Sequence, residues 1–135
     1  MRENQLSEAI IGAAIEVHRR LGPGLLESVY EECLAVELTL CGLAFERQRR
    51  VPLEYKGRPV AADLKIDFLI DACVVVELKA VEKILPVHGA QLLTYLRLTG
   101  KHLGLLINFN VPLLHAGVQR VVNHLPELRV SASLR

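Results

Sequence analysis

Tryptophan is absent from this chain, and aromatic residues make up only 4% of its 135 residues. A core built around stacked aromatic rings is therefore excluded. Hydrophobic residues nevertheless reach 51% of the sequence, so the core must consist mainly of Leu, Val, Ile and Ala. This length matches the usual size of one domain. We expect a single domain over residues 1–135, with an ordered core over about 6–125.

The chain also lacks a strong charge of either sign, because its net charge is +1. This excludes the electrostatic signature of a strongly basic nucleic-acid-binding domain, so any contact with DNA or RNA needs a local patch. The only dense basic groups are "HRR" at 18–20 and "ERQRR" at 46–50. Solvated faces commonly explain such runs. Arg47 and Arg49 alternate on a predicted strand, however, and are candidate phosphate contacts.

Cysteine is scarce, and long apolar runs are missing. The three cysteines are odd in number and form no C-x-x-C pair, which argues against a disulfide framework or a zinc site. Their apolar surroundings favour reduced, buried thiols and a cytoplasmic protein. No apolar run approaches the ~20 residues of a membrane span, and the first residues lack a signal-peptide pattern. We expect no membrane association.

Helical periodicity dominates the first third of the chain. Apolar residues recur at helical spacing from Ser7, the predicted cap, to Leu21. "GPG" at 22–24 ends this helix, and a second helix begins near Leu25 and stops before Gly42.

Strand patterns follow. Residues 43–80 contain turn signals between short apolar stretches and predict three strands in an antiparallel meander. A helix after Pro86, closed by Gly100, leads to the apolar strand "HLGLLINF" through a parallel crossover. Residues 113–125 predict a last helix, and the tail after Pro126 is expected to be loose. The fold class is α/β, a single mixed β-sheet of about four strands flanked by helices.

Two charges stand at the end of the apolar strand "VVVELKA", residues 74–80. Residues two apart in a strand point to the same face, so Glu77 and Lys79 leave the sheet together. Burying such charges is costly unless they are paired or bound to metal. They form either an ion pair at a strand end or half of a reactive site.

Asp67, on the preceding strand, can complete such a site. Directly opposite residues in an antiparallel pair share a face, so Asp67 meets Glu77 only if the connection has odd length. A three-residue loop at Asp71-Ala72-Cys73 meets this condition. An even loop would put Glu77 on the opposite face.

Two converging carboxylates are unfavourable without a cation. Mg²⁺ or Mn²⁺ takes oxygen ligands and leaves positions for substrate phosphate. Lys79 on the same face could orient or deprotonate the attacking water, or offset charge that develops in the transition state. These groups are the inventory for metal-assisted phosphodiester hydrolysis.

The spacing D-x(9)-E-L-K on two successive strands resembles the PD-(D/E)XK nuclease superfamily, whose core has the order αβββαβ. "GLLESVY", residues 24–30, is similar to the G-x-x-E-x-x-Y signature of a family of small bacterial proteins grouped with that superfamily. The resemblance runs from about Leu6 to Val122. It implies a restriction-endonuclease-like core with an extra N-terminal helix and a C-terminal helix, and DNA or RNA as the substrate.

The resemblance also assigns roles to individual residues. Asp67 and Glu77 resemble the metal-binding carboxylates, and Lys79 resembles the catalytic lysine. Glu27 resembles the helix glutamate that lies beside the metal, directly or through water. "QLLTY" is similar to a motif in which Gln and Tyr, here Gln91 and Tyr95, face the site. Lys65-Ile66 stands before Asp67, where many members have proline.

Simpler explanations stay open for several of these residues. Glu27 could instead interact with the dipole at a helix N-terminus. Tyr30 and Tyr95 could be core residues whose hydroxyls reach the surface. His18 could approach Glu27 or simply pack in the core. For the whole chain, the alternatives to a nuclease are a catalytically silent binding or interaction module, and a protein that acts only as a homodimer.

Overall fold

The computed structural model describes residues 2–124, which form three α-helices and seven β-strands around one main sheet. The helices are α1 (Arg2–Leu21), α2 (Glu27–Leu40) and α3 (Pro86–Thr99). The strands are β1 (Phe45–Arg50), β2 (Glu54–Tyr55), β3 (Arg58–Pro59), β4 (Lys65–Ile70), β5 (Val74–Lys79), β6 (Leu103–Asn108) and β7 (Val118–Val122). A 3-10 turn at Leu114–Gly117 precedes β7.

The main sheet has five strands in the order β1-β4-β5-β6-β7, and β2 with β3 forms a small separate hairpin. Neighbouring strands are antiparallel except β5 and β6, which are parallel and joined through α3. The expected mixed sheet, antiparallel meander and parallel crossover are therefore confirmed.

Helices cover both faces of this sheet. On one face, α1 and α2 pack through residues such as Ile10 and Leu34 against Phe68 and Val76. On the other face, α3 contributes a smaller cluster that includes Leu92, Leu96 and Tyr95. Because both faces are covered, central strands such as β5 read as continuous apolar runs, and the charges at its end are exceptional.

The predicted last helix is wrong. Within residues 113–125 the chain forms the 3-10 turn and then β7, which pairs antiparallel with β6. The three valines of β7 favour a strand, and β6 would otherwise be an open sheet edge. The main sheet thus has one strand more than expected. The predicted loose tail after Pro126 lies outside the described residues.

Two smaller expectations also need correction. Ser7 does not cap α1, because the helix begins at Arg2; the Ser7 hydroxyl donates to the Asn4 carbonyl inside the helix. The three cysteines are free thiols, as expected, but Cys41 is exposed and the other two are only partly buried. Cys41 follows the last turn of α2 and faces solvent there.

Among residues 2–124, the helices are too short or too polar to cross a membrane.

Candidate active site

The turn between β4 and β5 sets the geometry of the candidate site. It has three residues, Asp71–Cys73, and both Asp71 and Ala72 adopt left-handed backbone conformations with φ of 54° and 52°. The adjoining pairs are Ile70 with Val74 and Phe68 with Val76. The connection therefore has the odd length that Asp67 and Glu77 require, and the register directs these two residues toward each other.

The regular ladder between β4 and β5 ends just before this pair, and the two carboxylates replace it. Glu77 Oε2 accepts a hydrogen bond of 2.8 Å from the Asp67 backbone N–H. Asp67 Oδ2 accepts one of 2.7 Å from the Leu78 backbone N–H. Each side chain thus binds the backbone of the other strand, and both carboxylates are oriented where the strands separate.

Burial disfavours the ionised forms of both acids, and a neighbouring carboxylate adds to this effect, Asp67 for Glu77 and Glu31 for Asp67. Glu77 is only 9% exposed. Its burial, followed by the negative charge of Asp67, raises the pKa of Glu77 to about 8. Burial also raises the pKa of Asp67, despite the stabilising bond from Leu78. The charge of Lys79 lowers the pKa of both acids, so the lysine lies within electrostatic reach of the pair.

Glu27 approaches the same site from α2. It is the first residue of that helix, where the helix dipole favours a carboxylate. Partial desolvation raises the pKa of Glu27, the charge of Asp67 raises it further, and Lys79 acts in the opposite direction. Glu27 therefore interacts electrostatically with Asp67 and Lys79, which the sequence assigned to the same site.

Helix α3 brings the predicted glutamine and tyrosine to the other side of the pair. Gln91 Nε2 donates a 3.1 Å hydrogen bond to the Tyr95 hydroxyl one helical turn later. Tyr95 is buried at 6% exposure. Burial, followed by the negative charge of Glu77, raises the pKa of the Tyr95 hydroxyl. The two residues form one unit beside Glu77.

Two residues of the site escaped sequence analysis. Gln48 Nε2 donates to Asp67 Oδ1 at 3.1 Å and to Glu31 Oε1 at 2.8 Å. Gln48 has a φ of 50°, and the pairing of β1 with β4 skips Gln48 and Asp67. Glu31 raises the pKa of both Asp67 and Glu27 through its charge. The i, i+4 spacing of Glu27 and Glu31 could have indicated the second acid, but Gln48 had no local signal.

Other predicted residues have different contacts. The buried Tyr30 hydroxyl donates to the Gly22 carbonyl at 2.6 Å and accepts from the Leu25 N–H, so it closes the turn between α1 and α2. The His18 ring is 2.8 Å from the Val111 carbonyl. These contacts favour the structural explanation for both residues.

The two candidate phosphate-binding arginines are both engaged by carboxylates. Arg47 forms ion pairs with Glu31 and Glu32, of 3.0 and 2.8 Å. Arg49 forms one with Glu46, of 2.7 Å. Arg49 and its partner Glu46 are both exposed, whereas two acids of α2 hold the half-buried Arg47.

The donor chemistry of the pair fits a hard divalent cation. Carboxylate oxygens are the ligands that Mg²⁺ prefers, usually one or two carboxylates supplemented by water and substrate phosphate. The pKa values are raised chiefly by burial, so a bound cation would stabilise the ionised forms of both acids. Within residues 2–124, no group of three His, Cys, Asp or Glu side chains is arranged to hold a metal ion. The fit therefore concerns Asp67 and Glu77 as a pair, with Glu27 outside it.

Comparison with known proteins agrees with this fold. Residues 4–121 match the family model described as the PD-(D/E)XK nuclease superfamily, whose members generally use divalent metals and act on nucleic acid. No curated protein and no solved structure gives a significant match. The family match covers most of the chain and includes every residue of the site. The chain therefore belongs to the PD-(D/E)XK nuclease superfamily.

Proposed function

We propose that this protein is a nuclease that hydrolyses phosphodiester bonds in DNA or RNA and depends on Mg²⁺ or Mn²⁺. One observation carries the proposal: Asp67 and Glu77 bind each other's strands at the point where the sheet opens, with Lys79 in electrostatic reach. This arrangement keeps the buried Glu77 and the half-buried Asp67 together although their charges repel. A divalent ion bound there would offset the charges of the two acids and attract a phosphate.

Each side chain has a distinct role in the proposed reaction. Asp67 and Glu77 would hold the ion, and Glu27 would assist directly or through a water molecule. Lys79 orients the attacking water, accepts its proton, or stabilises charge that develops on the phosphate. Gln91 and Tyr95 support the lysine and the substrate from α3. The hydrogen bond between Gln91 and Tyr95 supports this assignment because it fixes both side chains beside Glu77.

We also propose that the chain belongs to the family named for the G-x-x-E-x-x-Y signature. The three signature residues have separate physical tasks that support this placement. Gly24 has a φ of 102°, which other residues rarely adopt. Glu27 faces the acidic pair, and Tyr30 closes the preceding turn.

Cleavage assays test the nuclease proposal directly. Labelled single- and double-stranded DNA and RNA are incubated with the protein in Mg²⁺, in Mn²⁺ and in chelator. We expect cleavage only with metal, and a loss of about 10²-fold or more in Lys79→Ala and Glu77→Gln. Lys83→Ala, an exposed lysine in the next connection, is the matched control. Cleavage that survives in both site variants would contradict the proposal.

A catalytically silent nuclease fold is the second candidate. It is favoured by the backbone hydrogen bonds that already satisfy one oxygen of each acid, and by the lack of a three-residue metal-ligating group within 2–124. Thermal unfolding with and without millimolar Mn²⁺ distinguishes the two. A silent module would show no metal-dependent shift while still binding nucleic acid or a protein partner.

The homodimer and the cytoplasmic location remain predictions from the sequence. If a homodimer forms, helix α2 offers a surface, because its apolar residues Val36 and Leu40 are exposed, as is Leu26 just before the helix. Light scattering at several protein concentrations decides the oligomeric state. Cell fractionation decides the location.

A further inference from the structure

Three cations line one cavity on the surface, and a fourth lies opposite one of them on the neighbouring strand. Arg49 and Arg50 end β1, Lys65 begins β4 directly opposite Arg50, and Lys101 follows α3. Arg49, Arg50 and Lys101 line a single cavity of about 230 Å³, which has no acidic residue in its lining. We name these four residues the basic rim.

The positive charge of the basic rim is only partly neutralised. Like charges directly opposite on neighbouring strands destabilise a sheet, yet Arg50 faces Lys65. Both depend on Asp63, at long distances of 3.6 and 3.9 Å, and Asp63 is itself 75% exposed. Exposed ion pairs of this kind contribute only about 0–1 kcal/mol.

The other two cations are also open to exchange of partners. Arg49 pairs with Glu46 at the surface, and the Lys101 amine donates to the uncharged Ala72 carbonyl. Four cations thus share two exposed acids, in a chain whose total charge is only +1. An anionic ligand could replace these weak partners at little cost.

Arg49 and the wall of the cavity lie near Asp67 along β1 and β4. Gln48, which binds Asp67, immediately precedes Arg49 on β1. Leu69, which contributes to the wall of the cavity, lies two residues after Asp67 on β4, or about 7 Å along a strand. A nucleic-acid strand with one phosphate at Asp67 and Glu77 would therefore reach the rim with neighbouring phosphates.

We propose that the basic rim binds the nucleic-acid backbone next to the phosphate held at the acidic pair. This inference rests on the proposed nuclease function and names the surface that grips its substrate. Arg47, which the sequence grouped with Arg49, takes no part because Glu31 and Glu32 engage it.

Salt-dependent binding tests the rim. Anisotropy of labelled DNA and RNA oligonucleotides is measured in chelator at several salt concentrations. We expect Arg50→Gln with Lys65→Gln to lower the slope of log affinity against log salt by about 2, one unit for each lost phosphate contact. Lys101→Gln alone should lower this slope by about 1. This variant changes no residue of β1 or β4.

A charge-matched control is available on α1. The double variant Arg19→Gln and Arg20→Gln also removes two positive charges, here from residues that both contact Glu16. We expect the slope of this control to equal that of the wild type. Equal slopes in the rim variants and the wild type, an equal fall in the control, or no binding to any oligonucleotide would overturn the proposal.

The outcomes separate this inference from the nuclease proposal, because binding in chelator requires no cleavage. If the protein binds through the basic rim but does not cleave, the nuclease proposal is refuted and the proposal for the basic rim is retained. A protein that cuts, with unchanged slopes in the rim variants, would refute the rim and retain the nuclease.

Discussion

At the scale of single residues, the site depends on hydrogen bonds that orient charged groups. Asp67 receives hydrogen bonds from the Leu78 backbone and from the Gln48 side chain, and both lower its pKa against the effect of burial. Gln48 maintains its bond from a left-handed backbone conformation that is uncommon for a residue other than glycine. The local strain at Gln48 coincides with its contact to the site, as is common at functional positions.

Removal of the Gln48 amide should weaken metal binding. Gln48→Gly deletes the hydrogen bond to Asp67. Glycine adopts the φ of 50° at this position without strain, so the backbone need not change. We expect Mn²⁺ affinity to fall about 10-fold, the lower end of the usual effect of losing a group that orients a ligand. Calorimetric titration measures it, and Gln5→Ala on α1 is the control. Wild-type affinity in the glycine variant would show that Gln48 does not position Asp67.

At the scale of elements, the site depends on how β6 and the 3-10 turn before β7 support the end of β5. Asn108, at the end of β6, pairs in register with Lys79. Its side chain accepts from the Val81 N–H at 3.0 Å and donates to the Val81 carbonyl at 2.9 Å. These two hydrogen bonds fix the chain just after Lys79. Gly117 packs against the backbone of Asn108.

Gly117→Ala should destabilise the protein. A Cβ atom at this position would lie 2.1 Å from the Asn108 carbonyl oxygen, so the backbone would have to move. We expect unfolding free energy to fall by about 2 kcal/mol. Gly12→Ala on α1 is a sharp control, because its Cβ would meet nothing within 4 Å and should stabilise the helix by about 0.5–1 kcal/mol. Urea unfolding measures both, and equal stability of the two variants would contradict the packing argument.

At the scale of the whole molecule, the acidic site opposes folding in the absence of a cation. The pKa values of Glu77, Asp67 and Glu27 are all raised in the folded chain, chiefly by burial. A raised pKa means that the folded state retains protons that the unfolded state releases. The free energy of unfolding therefore falls as pH rises from the ordinary pKa values of these acids to their raised values.

The metal-free protein should become less stable between pH 4.5 and about 8, the ordinary and the raised pKa of Glu77. Glu77→Gln removes the main titrating group and should flatten this decline. Urea unfolding in chelator across that range measures it, with the exposed Glu8→Gln as control. A decline of the same steepness in Glu77→Gln and in the wild type would refute the assignment.

Sequence reasoning reached the acidic pair because the constraint that joins Asp67 to Glu77 is local. A period of two and the length of the turn decide which residues share a face, so the nine intervening residues reduce the question to an odd or an even turn. The three-residue turn of the structure is the odd one. Glu27, Gln91 and Tyr95 came from resemblance, and their grouping depends on helices that pack on opposite faces of the sheet. The error at β7 arose because residues 113–125 satisfy a helical period, whereas pairing with the edge of β6 decided the outcome.

The amino-acid sequence alone determined the fold class and the parallel crossover, and it made the facing carboxylates depend on a turn of odd length. The structure supplied that turn, Asp71–Cys73. The tertiary structure alone decided that Gln48 and Glu31 join the site and that Arg47 is held by two acids. It also decided that Arg50 and Lys65 face each other beside the cavity. These contacts join residues 15 to 19 positions apart or on different strands, and only the assembled sheet, with α2 packed against it, brings them together.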